Sequence, residues 1–381
     1  RLHSTWLHPL SLVALGPCLA MFLRLIVCVQ MACPDYLIAD QNNHRVQLCP
    51  MSPGFPCETV AGTGEWGRDL VHLYQPSDVA VTAEGDYVIA DTSNGRVQRC
   101  PATSPGSPCE TVVQGTIHGV ALDRDGAPVL VSILPHVVQR CDNASLGTTC
   151  ATVVGTSSLA ESGGPALSYP KRVAIAAAGD YVIADAGNHR VLRCPPASSG
   201  ALCETVAGSG SRGSSSTELD DPYGVALSTD GDYIIADRSN HRVQRCPVAS
   251  PGTDCETMVG GSRGGGLVEL DLPQGVAVDA DGALLVADTG NHRLLRCPIG
   301  EFCQVIFGGF GRGPTQFCEP YSVAVLNPST TIAAATTGYR TVATTNDVTT
   351  TAQATAAVVS GGCSISLGGV WSFAAAMTLR F

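Results

Sequence analysis

A block of residues recurs six times along this chain at a spacing of about 50 residues, and its fullest copy runs from Pro273 to Cys297. An Ala-Asp pair, or its counterpart, marks the same point in every copy. The second position of that pair is occupied in turn by Asp40, Asp91, Ser132, Asp185, Asp237 and Asp288. Self-similarity at this period indicates a repeat architecture, in which one supersecondary unit buries its apolar face only against its neighbours.

Each unit is predicted to contain four short strands. A Val-Ala-Val-like strand leads into an Asp-Gly or Gly-Asp turn such as Asp281-Gly282, which is a strong hairpin signal because both residues tolerate positive φ. The second strand is a continuous apolar run such as Tyr233–Ala236, typical of a strand buried on both faces. The third and fourth strands of that unit are 241–246 and 255–259. Four-stranded sheets repeated radially make a β-propeller, so the fold class is all-β.

The pattern resembles the NHL repeat, a family of mostly six-bladed propellers. The resemblance covers residues 35–326 and rests on Ala184-Asp185-x-x-Asn188-His189-Arg190 and its equivalents at 236–242 and 287–293, with Asn43-His44-Arg45 in the first unit. The second copy has Gly95 in place of the histidine. The third copy departs most, because Ser132, Pro135 and Val137 replace the Asp, Asn and Arg, and its blade is expected to be less regular.

The phase of the repeat predicts how the ring closes. Strands two to four first occur near Asp35, whereas the last good copy of the first strand is Tyr321–Val325. Pairing this C-terminal strand with residues 35–60 completes a six-bladed ring and removes an exposed sheet edge. A seven-bladed alternative uses Thr336–Val342 as a further copy and Leu25–Gln30 as a first strand. The chain then divides into an apolar leader (1–34), an NHL-type propeller (35–326) and a Thr/Ala-rich tail (327–381).

Cysteines occupy one repeat position in pairs, on either side of the loop between the third and fourth strands. The pairs are Cys49/Cys57, Cys100/Cys109, Cys141/Cys150, Cys194/Cys203, Cys246/Cys255 and Cys297/Cys303. Facing residues of an antiparallel hairpin come close to disulfide range, so we predict six disulfides and an oxidising compartment. The alternative is metal binding, which two thiolates per loop without further ligands favour less.

The N-terminus and one sequon agree with a secreted protein or one of the endomembrane lumen or cell surface. Residues 10–29 are largely apolar but are interrupted by Pro17 and Arg24, which favours a signal peptide over a spanning helix; membrane anchoring through this segment is the alternative. Asn143-Ala144-Ser145 is a glycosylation sequon. The net charge of −11 disfavours nucleic acid as a partner.

Repeated polar residues are interpreted as scaffold. Five histidines at the start of the third strand suggest a metal ring, but local hydrogen bonding of an Asp-capped turn explains the residue types better. They are His44, His136, His189, His241 and His292. No nucleophile elbow, phosphate loop or zinc-protease motif occurs, so the sequence predicts no cofactor and no catalytic residue.

Function is expected where equivalent positions differ. The position two residues before the first-strand valine carries Ser77, His118, Lys171, Tyr223, Gln274 and Tyr321. Because the first strand lines the axis of a propeller, these six side chains are predicted to surround one mouth of the channel, to bind ligand and to contribute little to folding. Ordinary loop variability is the alternative explanation.

Two classes of function remain. The first is a non-catalytic extracellular or luminal binding or scaffold module that recognises a protein or glycan on one propeller face. The second is a metal-dependent enzyme resembling the propeller lyases that process peptide C-termini, or the propeller lactonases. Those enzymes need axial histidines or carboxylates, and His118 is the one good axial candidate, so the sequence favours the binding module.

Overall fold

The computed structural model describes residues 35–51, 55–143, 145, 147–155, 166–196 and 202–326. Within these residues, 24 strands form six four-stranded antiparallel sheets, which confirms the predicted six-bladed all-β propeller. Across the same part of the chain, no helix has the length and hydrophobicity needed to cross a bilayer. The predicted leader, the tail and both segments of the seven-bladed alternative lie outside the described residues.

The strands follow the chain blade by blade. The first three are β1 (Asp35–Asp40), β2 (Arg45–Pro50) and β3 (Glu58–Gly62). Blade 2 contains β4 (Asp78–Val81), β5 (Tyr87–Asp91), β6 (Arg96–Cys100) and β7 (Glu110–Gln114). Blade 3 contains β8 (Thr116–Leu122), β9 (Pro128–Leu134), β10 (His136–Cys141) and β11 (Cys150–Val154).

The second half of the ring repeats this order. Blade 4 contains β12 (Pro170–Ile175), β13 (Tyr181–Asp185), β14 (Arg190–Cys194) and β15 (Glu204–Ala207). Blade 5 contains β16 (Pro222–Leu227), β17 (Tyr233–Asp237), β18 (Arg242–Cys246) and β19 (Glu256–Gly260). Blade 6 contains β20 (Gly275–Val278), β21 (Leu284–Asp288), β22 (Arg293–Cys297) and β23 (Gln304–Gly308).

Blade 1 joins strands from the two ends of the described chain. β24 (Pro320–Val325) pairs antiparallel with β1, with Ile38 opposite Val323, and the sheet continues through β2 to β3. The inner strands contact one another around a ring in the order β24, β4, β8, β12, β16, β20 and back to β24. These six strands therefore line the axis.

The apolar cores lie between blades. This agrees with the prediction from sequence that the second strand of each blade is buried on both faces. Every residue of β5, β13, β17 and β21 is buried. One cluster packs Val182 and Val191 of blade 4 against Val225 and Ile235 of blade 5. Each blade thus buries its faces only against its neighbours, which is why the fold requires the whole ring.

A short turn follows the second strand in five blades. Each is a single turn of 3-10 helix that ends at a residue in the left-handed region, which is histidine four times and Gly95 once. The turns are Gln41–Asn43, Thr92–Asn94, Ala186–Asn188, Arg238–Asn240 and Thr289–Asn291. Blade 3 lacks this turn and has a cis Leu134–Pro135 peptide bond there, so its predicted irregularity is confirmed.

The hairpins between the third and fourth strands carry the cysteine pairs, and all six predicted disulfides are present. Their Cα–Cα distances lie between 3.9 and 4.3 Å. The bonds join Cys49 to Cys57, Cys100 to Cys109, Cys141 to Cys150, Cys194 to Cys203, Cys246 to Cys255, and Cys297 to Cys303. Of the described cysteines, Cys318 alone is free.

The second cysteine of most pairs lies just outside the fourth strand, which corrects the predicted strand boundary. The sequence pattern starts this strand of blade 5 at Cys255, whereas β19 starts at Glu256, opposite Arg245. The amide of Cys255 donates instead to the Ser216 carbonyl of the connector (2.9 Å), so it is not available to the ladder. The same offset of one residue occurs at Cys57, Cys109, Cys203, Cys255 and Cys303, and only Cys150 begins its strand, opposite Cys141.

Candidate functional site at the axial mouth

The repeated Asp, Asn and Arg side chains hold each blade together. In blade 5, the Asp237 carboxylate accepts hydrogen bonds from Asn240 Nδ2 (2.8 Å), Arg242 Nε (2.7 Å) and the Asp220 amide (2.7 Å). The Arg242 guanidinium also donates to three carbonyl groups of the connector at 214–218. Asp237 is completely buried. These contacts account for the residue types of the motif, so its structural interpretation is confirmed.

The repeated histidines tie each blade to the next. His189 Nδ1 of blade 4 accepts a hydrogen bond from the Asp221 amide, at the start of blade 5 (3.2 Å). The same bond joins His44 to Gln75, His241 to Leu272 and His292 to Glu319. His136, in the irregular third blade, instead packs its ring against Tyr169 at 4.6 Å between centroids. Four histidines are thus links between blades, a role more specific than the predicted turn closure.

Four of the six predicted mouth residues meet above the axis. The rings of His118, Tyr223 and Tyr321 contact one another, with centroids between 5.4 and 5.7 Å apart. The Tyr223 hydroxyl is hydrogen-bonded to the Tyr321 hydroxyl and lies 3.3 Å from His118 Nε2. Lys171 Nζ lies 5.0 Å from the centre of the Tyr223 ring. Residues from blades 1, 3, 4 and 5 therefore converge on one point.

Burial keeps the aromatic side chains of the mouth uncharged. It lowers the pKa of His118 well below its ordinary value, and Lys171 and Arg172 lower this pKa further. Burial likewise raises the pKa of Tyr223 well above the value of a free phenol. All of these groups are neutral near neutral pH, so they can donate and accept hydrogen bonds but carry no charge.

Lys171 supplies the charge at the mouth. It is half-buried and has no carboxylate within 4.0 Å among the described residues. The Arg238 guanidinium lies 5.6 Å from the centre of the same Tyr223 ring, but it is paired with Asp221 at 2.7 Å. Burial lowers the pKa of Lys171, Asp221 opposes the shift and Arg238 lowers this pKa further. Within the described ranges, the site therefore holds one cation without a counter-ion.

The six positions differ in accessibility. Ser77, His118, Tyr223 and Gln274 are buried, whereas Lys171 and Tyr321 are partly exposed. The Ser77 hydroxyl donates to the His118 carbonyl (2.7 Å), which ties blade 2 to blade 3. His118 Nδ1 and Gln274 Oε1 are buried without a hydrogen-bond partner in the described structure. Lys171 and Tyr321 are thus the residues best placed to meet a ligand.

A polar contact that was not predicted from the sequence closes the axis one residue deeper. Arg172 of blade 4 forms an ion pair with Asp78 of blade 2, and both residues are buried. The Arg172 guanidinium also donates to the Ser322 hydroxyl (2.9 Å) and to the Ser77 and Tyr321 carbonyls (2.6 and 3.0 Å). These contacts link blades 1, 2 and 4 across the centre. We call Asp78, Arg172 and Ser322 the axial lock.

At the same position, blades 3, 5 and 6 have glycine because a larger side chain would clash with the neighbouring strand. A Cβ atom on Gly119 would lie 2.6 Å from the Lys171 carbonyl oxygen, and one on Gly224 would lie 2.3 Å from that of Gln274. At this repeat position, three blades have glycine and the other three have Asp78, Arg172 and Ser322. This difference is the sequence signal that could have revealed the lock. Below it, the inner-strand valines line a cavity of about 130 Å³.

The predicted glycosylation site lies at the opposite end of the blades. Asn143 is exposed in the disulfide-bonded loop between β10 and β11, and its Oδ1 accepts a hydrogen bond from the Ser145 amide (3.0 Å). It borders a cavity of about 460 Å³, formed with the turns at 82–84 and 123–127. Glycosylation of Asn143 stays a prediction.

The repeats themselves match a known family. The family model described as "NHL repeat" matches residues 73–100, 167–194, 219–246 and 270–297. The chain contains four NHL repeats within a six-bladed β-propeller. The four matched segments of this NHL propeller each run from the connector to the cysteine of the third strand, in blades 2, 4, 5 and 6. Blade 1, built from two chain segments, and blade 3, which departs from the motif, are not matched.

Similar solved structures have low sequence identity to this chain. A protein of unknown function from Bacteroides thetaiotaomicron is 16% identical with a TM-score of 0.55, over 76% of this chain and 85% of its own. A gluconolactonase from Xanthomonas campestris is 17% identical (TM-score 0.48, 72% and 84% covered). A virginiamycin B lyase from Staphylococcus aureus is 10% identical (TM-score 0.44, 72% and 84% covered). No curated protein matches the sequence.

Proposed function

We propose that this NHL propeller is a non-catalytic binding module of an extracellular or luminal compartment. Its ligand is a protein or a glycan held on the face that carries the axial mouth. The six disulfides support the choice of compartment, because such bonds persist under oxidising conditions.

The observation that carries the proposal is the chemistry of the mouth. Side chains that differ from blade to blade gather on the axis, where repeated residues would suffice for a scaffold. They combine an unpaired cation, Lys171, with the partly exposed Tyr321 ring and with buried polar atoms that lack partners in the described structure. Aromatic surface combined with a few convergent polar groups is typical of ligand recognition.

The axial lock weighs against the enzyme alternative. A metal-dependent propeller enzyme requires axial ligands with free lone pairs, but Asp78 is held by Arg172, Ser322 and the Val120 amide. His118 Nε2 already lies next to the Tyr223 hydroxyl. Within the described ranges, no group of three or more His, Cys, Asp or Glu side chains has a geometry that could hold a metal ion.

Binding to defined ligands tests the proposal. The full chain, produced by secretion, is applied to an array of defined glycans and to an array of extracellular protein domains, together with the variant Tyr321→Ala. We expect a small set of ligands that the variant binds at least about tenfold more weakly, because central aromatic residues dominate most interfaces. The control is Arg124→Ala, which changes an exposed residue on the opposite face. Equal binding by all three proteins would contradict the proposal.

Metal analysis of the same material separates the two classes of function. The binding module is expected to purify without stoichiometric zinc or calcium and to retain its ligands in the presence of a chelator. One metal ion per chain, together with hydrolysis of a lactone or cleavage of a peptide lost with that ion, would establish the enzyme instead.

A further inference from the structure

We infer that the ligand of the axial mouth is a glycan that ends in an acidic sugar, with its carboxylate bound by Lys171. This inference rests on the proposed function and adds the chemical class of the ligand. Three features of the described residues support it: the unpaired cation, the tyrosine hydroxyls of the mouth, and the exposed aromatic residues of two connectors.

The charge of the site is the first feature. Lys171 is the only lysine in the sequence, and it lies half-buried over the Tyr223 ring without a carboxylate within 4.0 Å in the described structure. A protein with 33 acidic residues and a net charge of −11 could easily have placed a carboxylate there. The nearest pair, Arg238 with Asp221, is already neutral. An incoming anion is therefore the missing partner of this cation.

The polar atoms favour a sugar over a peptide terminus. The Tyr321 hydroxyl is hydrogen-bonded to the Tyr223 hydroxyl, which lies 3.3 Å from His118 Nε2, while His118 Nδ1 and Gln274 Oε1 lack partners among the described residues. A uronic acid has several hydroxyl groups next to its carboxylate, and each hydroxyl both donates and accepts. Such groups can hydrogen-bond to the partly exposed Tyr321 side chain directly or through ordered water. A peptide C-terminus offers one amide beside its carboxylate.

Two exposed aromatic residues lie in the connectors that lead to blades 1 and 2. Trp66 and Phe310 occupy equivalent positions in neighbouring connectors and are 64% and 70% exposed. Each is supported from one side, Trp66 by Tyr74 at 5.7 Å and Phe310 by His292 at 5.0 Å. Rigid aromatic surfaces suit the apolar faces of sugar rings. Because the overall negative charge repels polyanions, the inference is limited to a single terminal acidic sugar.

A matched pair of oligosaccharides tests the inference. The probes are a trisaccharide with glucuronate at its non-reducing end and the same trisaccharide with glucose there, measured by calorimetry at one ionic strength. A charge-assisted hydrogen bond contributes enough that we expect the acidic probe to bind about tenfold to a hundredfold more tightly. Lys171→Met should abolish this preference, Lys171→Arg should retain it, and Arg124→Met on the opposite face should leave it unchanged.

The single lysine also reports where the probe binds. After reductive ¹³C-methylation, the side-chain signal of Lys171 should shift on titration with the acidic probe and stay in place with sodium chloride. Equal affinities for the two trisaccharides, with binding lost in Tyr321→Ala, would overturn the inference while leaving the binding module intact. No binding of either trisaccharide, or tighter binding of an N-acetylated tripeptide with a free C-terminus, would also overturn it.

Discussion

Every blade except blade 3 has a buried aspartate at the end of its second strand. Each of these five carboxylates accepts three hydrogen bonds, from an asparagine, an arginine and a connector amide. Removing such a carboxylate leaves a buried guanidinium without its charge partner, which is more costly than losing the bond itself. We expect Asp237→Ala to lower the free energy of unfolding by about 3–5 kcal/mol in urea titrations. The matched control, Asp230→Ala, removes an exposed carboxylate 3.5 Å from Arg245 in the same blade and should change stability little. Equal effects of the two substitutions would refute this assignment.

At the same scale, the sequence predicts which residues reach the mouth but not how deeply they are buried. Tyr223 and Tyr321 occupy one repeat position, yet Tyr223 is 4% exposed and lies under Lys171, whereas Tyr321 is partly exposed. The difference arises from contacts between blades 3, 4 and 5, which no local pattern records. Tyr223→Ala is therefore expected to destabilise the fold, contrary to the expectation from sequence.

At the scale of the element, the His44 link between blades 1 and 2 should respond to pH. His44 Nδ1 accepts the Gln75 amide, so protonation of that nitrogen breaks the bond. Burial lowers the pKa of His44, Arg312 lowers it further, and Glu65 and Asp91 oppose the shift. The unfolded chain then binds this proton more readily, so the contribution of His44 is fully present above about pH 6.5 and is lost as the pH falls through the folded-state pKa.

This pH dependence is measured against a variant that does not titrate there. Asparagine tolerates the left-handed backbone at position 44, where φ is 53°. Between pH 8 and pH 5, the wild type should lose more stability than His44→Asn, because the other histidines are common to both. Parallel curves would show that the His44 bond contributes nothing.

The sequence predicts every cysteine pair of the described hairpins, because the two cysteines of a pair flank one short loop. Cys100→Ser with Cys109→Ser should lower the free energy of unfolding by about 2–3 kcal/mol, since closing the loop restricts the unfolded chain. Alkylation with and without reduction, read by intact mass, should show at least twelve protected cysteines in the native protein, namely those of the six described pairs. Free thiols at both positions in secreted material would contradict the assignment.

At the scale of the whole molecule, the axial lock joins residues 94 and 150 positions apart. The repeat shows that this position differs among the blades, but not which side chains meet across the axis. Arg172→Met leaves Asp78 buried without a charge partner and should cost about 3–5 kcal/mol of stability. Adding Asp78→Asn should recover part of this loss, because the two residues are directly coupled. A double-mutant cycle in urea measures that coupling, and strictly additive losses would mean that the pair is not a lock.

Closure of the ring follows from the phase of the repeat and predicts the response to truncation. β24 supplies the inner strand of blade 1, and its neighbours β4 and β20 contact it on either side. Deleting residues 316–381 removes this strand, exposes the edge of β1 and uncovers the core around Ile38 and Leu285, so several kcal/mol of stability should be lost. Deleting only residues 345–381 leaves β24 in place and should change the melting temperature little. If both truncations lowered the melting temperature equally, the C-terminal tail, and not β24, would be the segment that stabilises the ring.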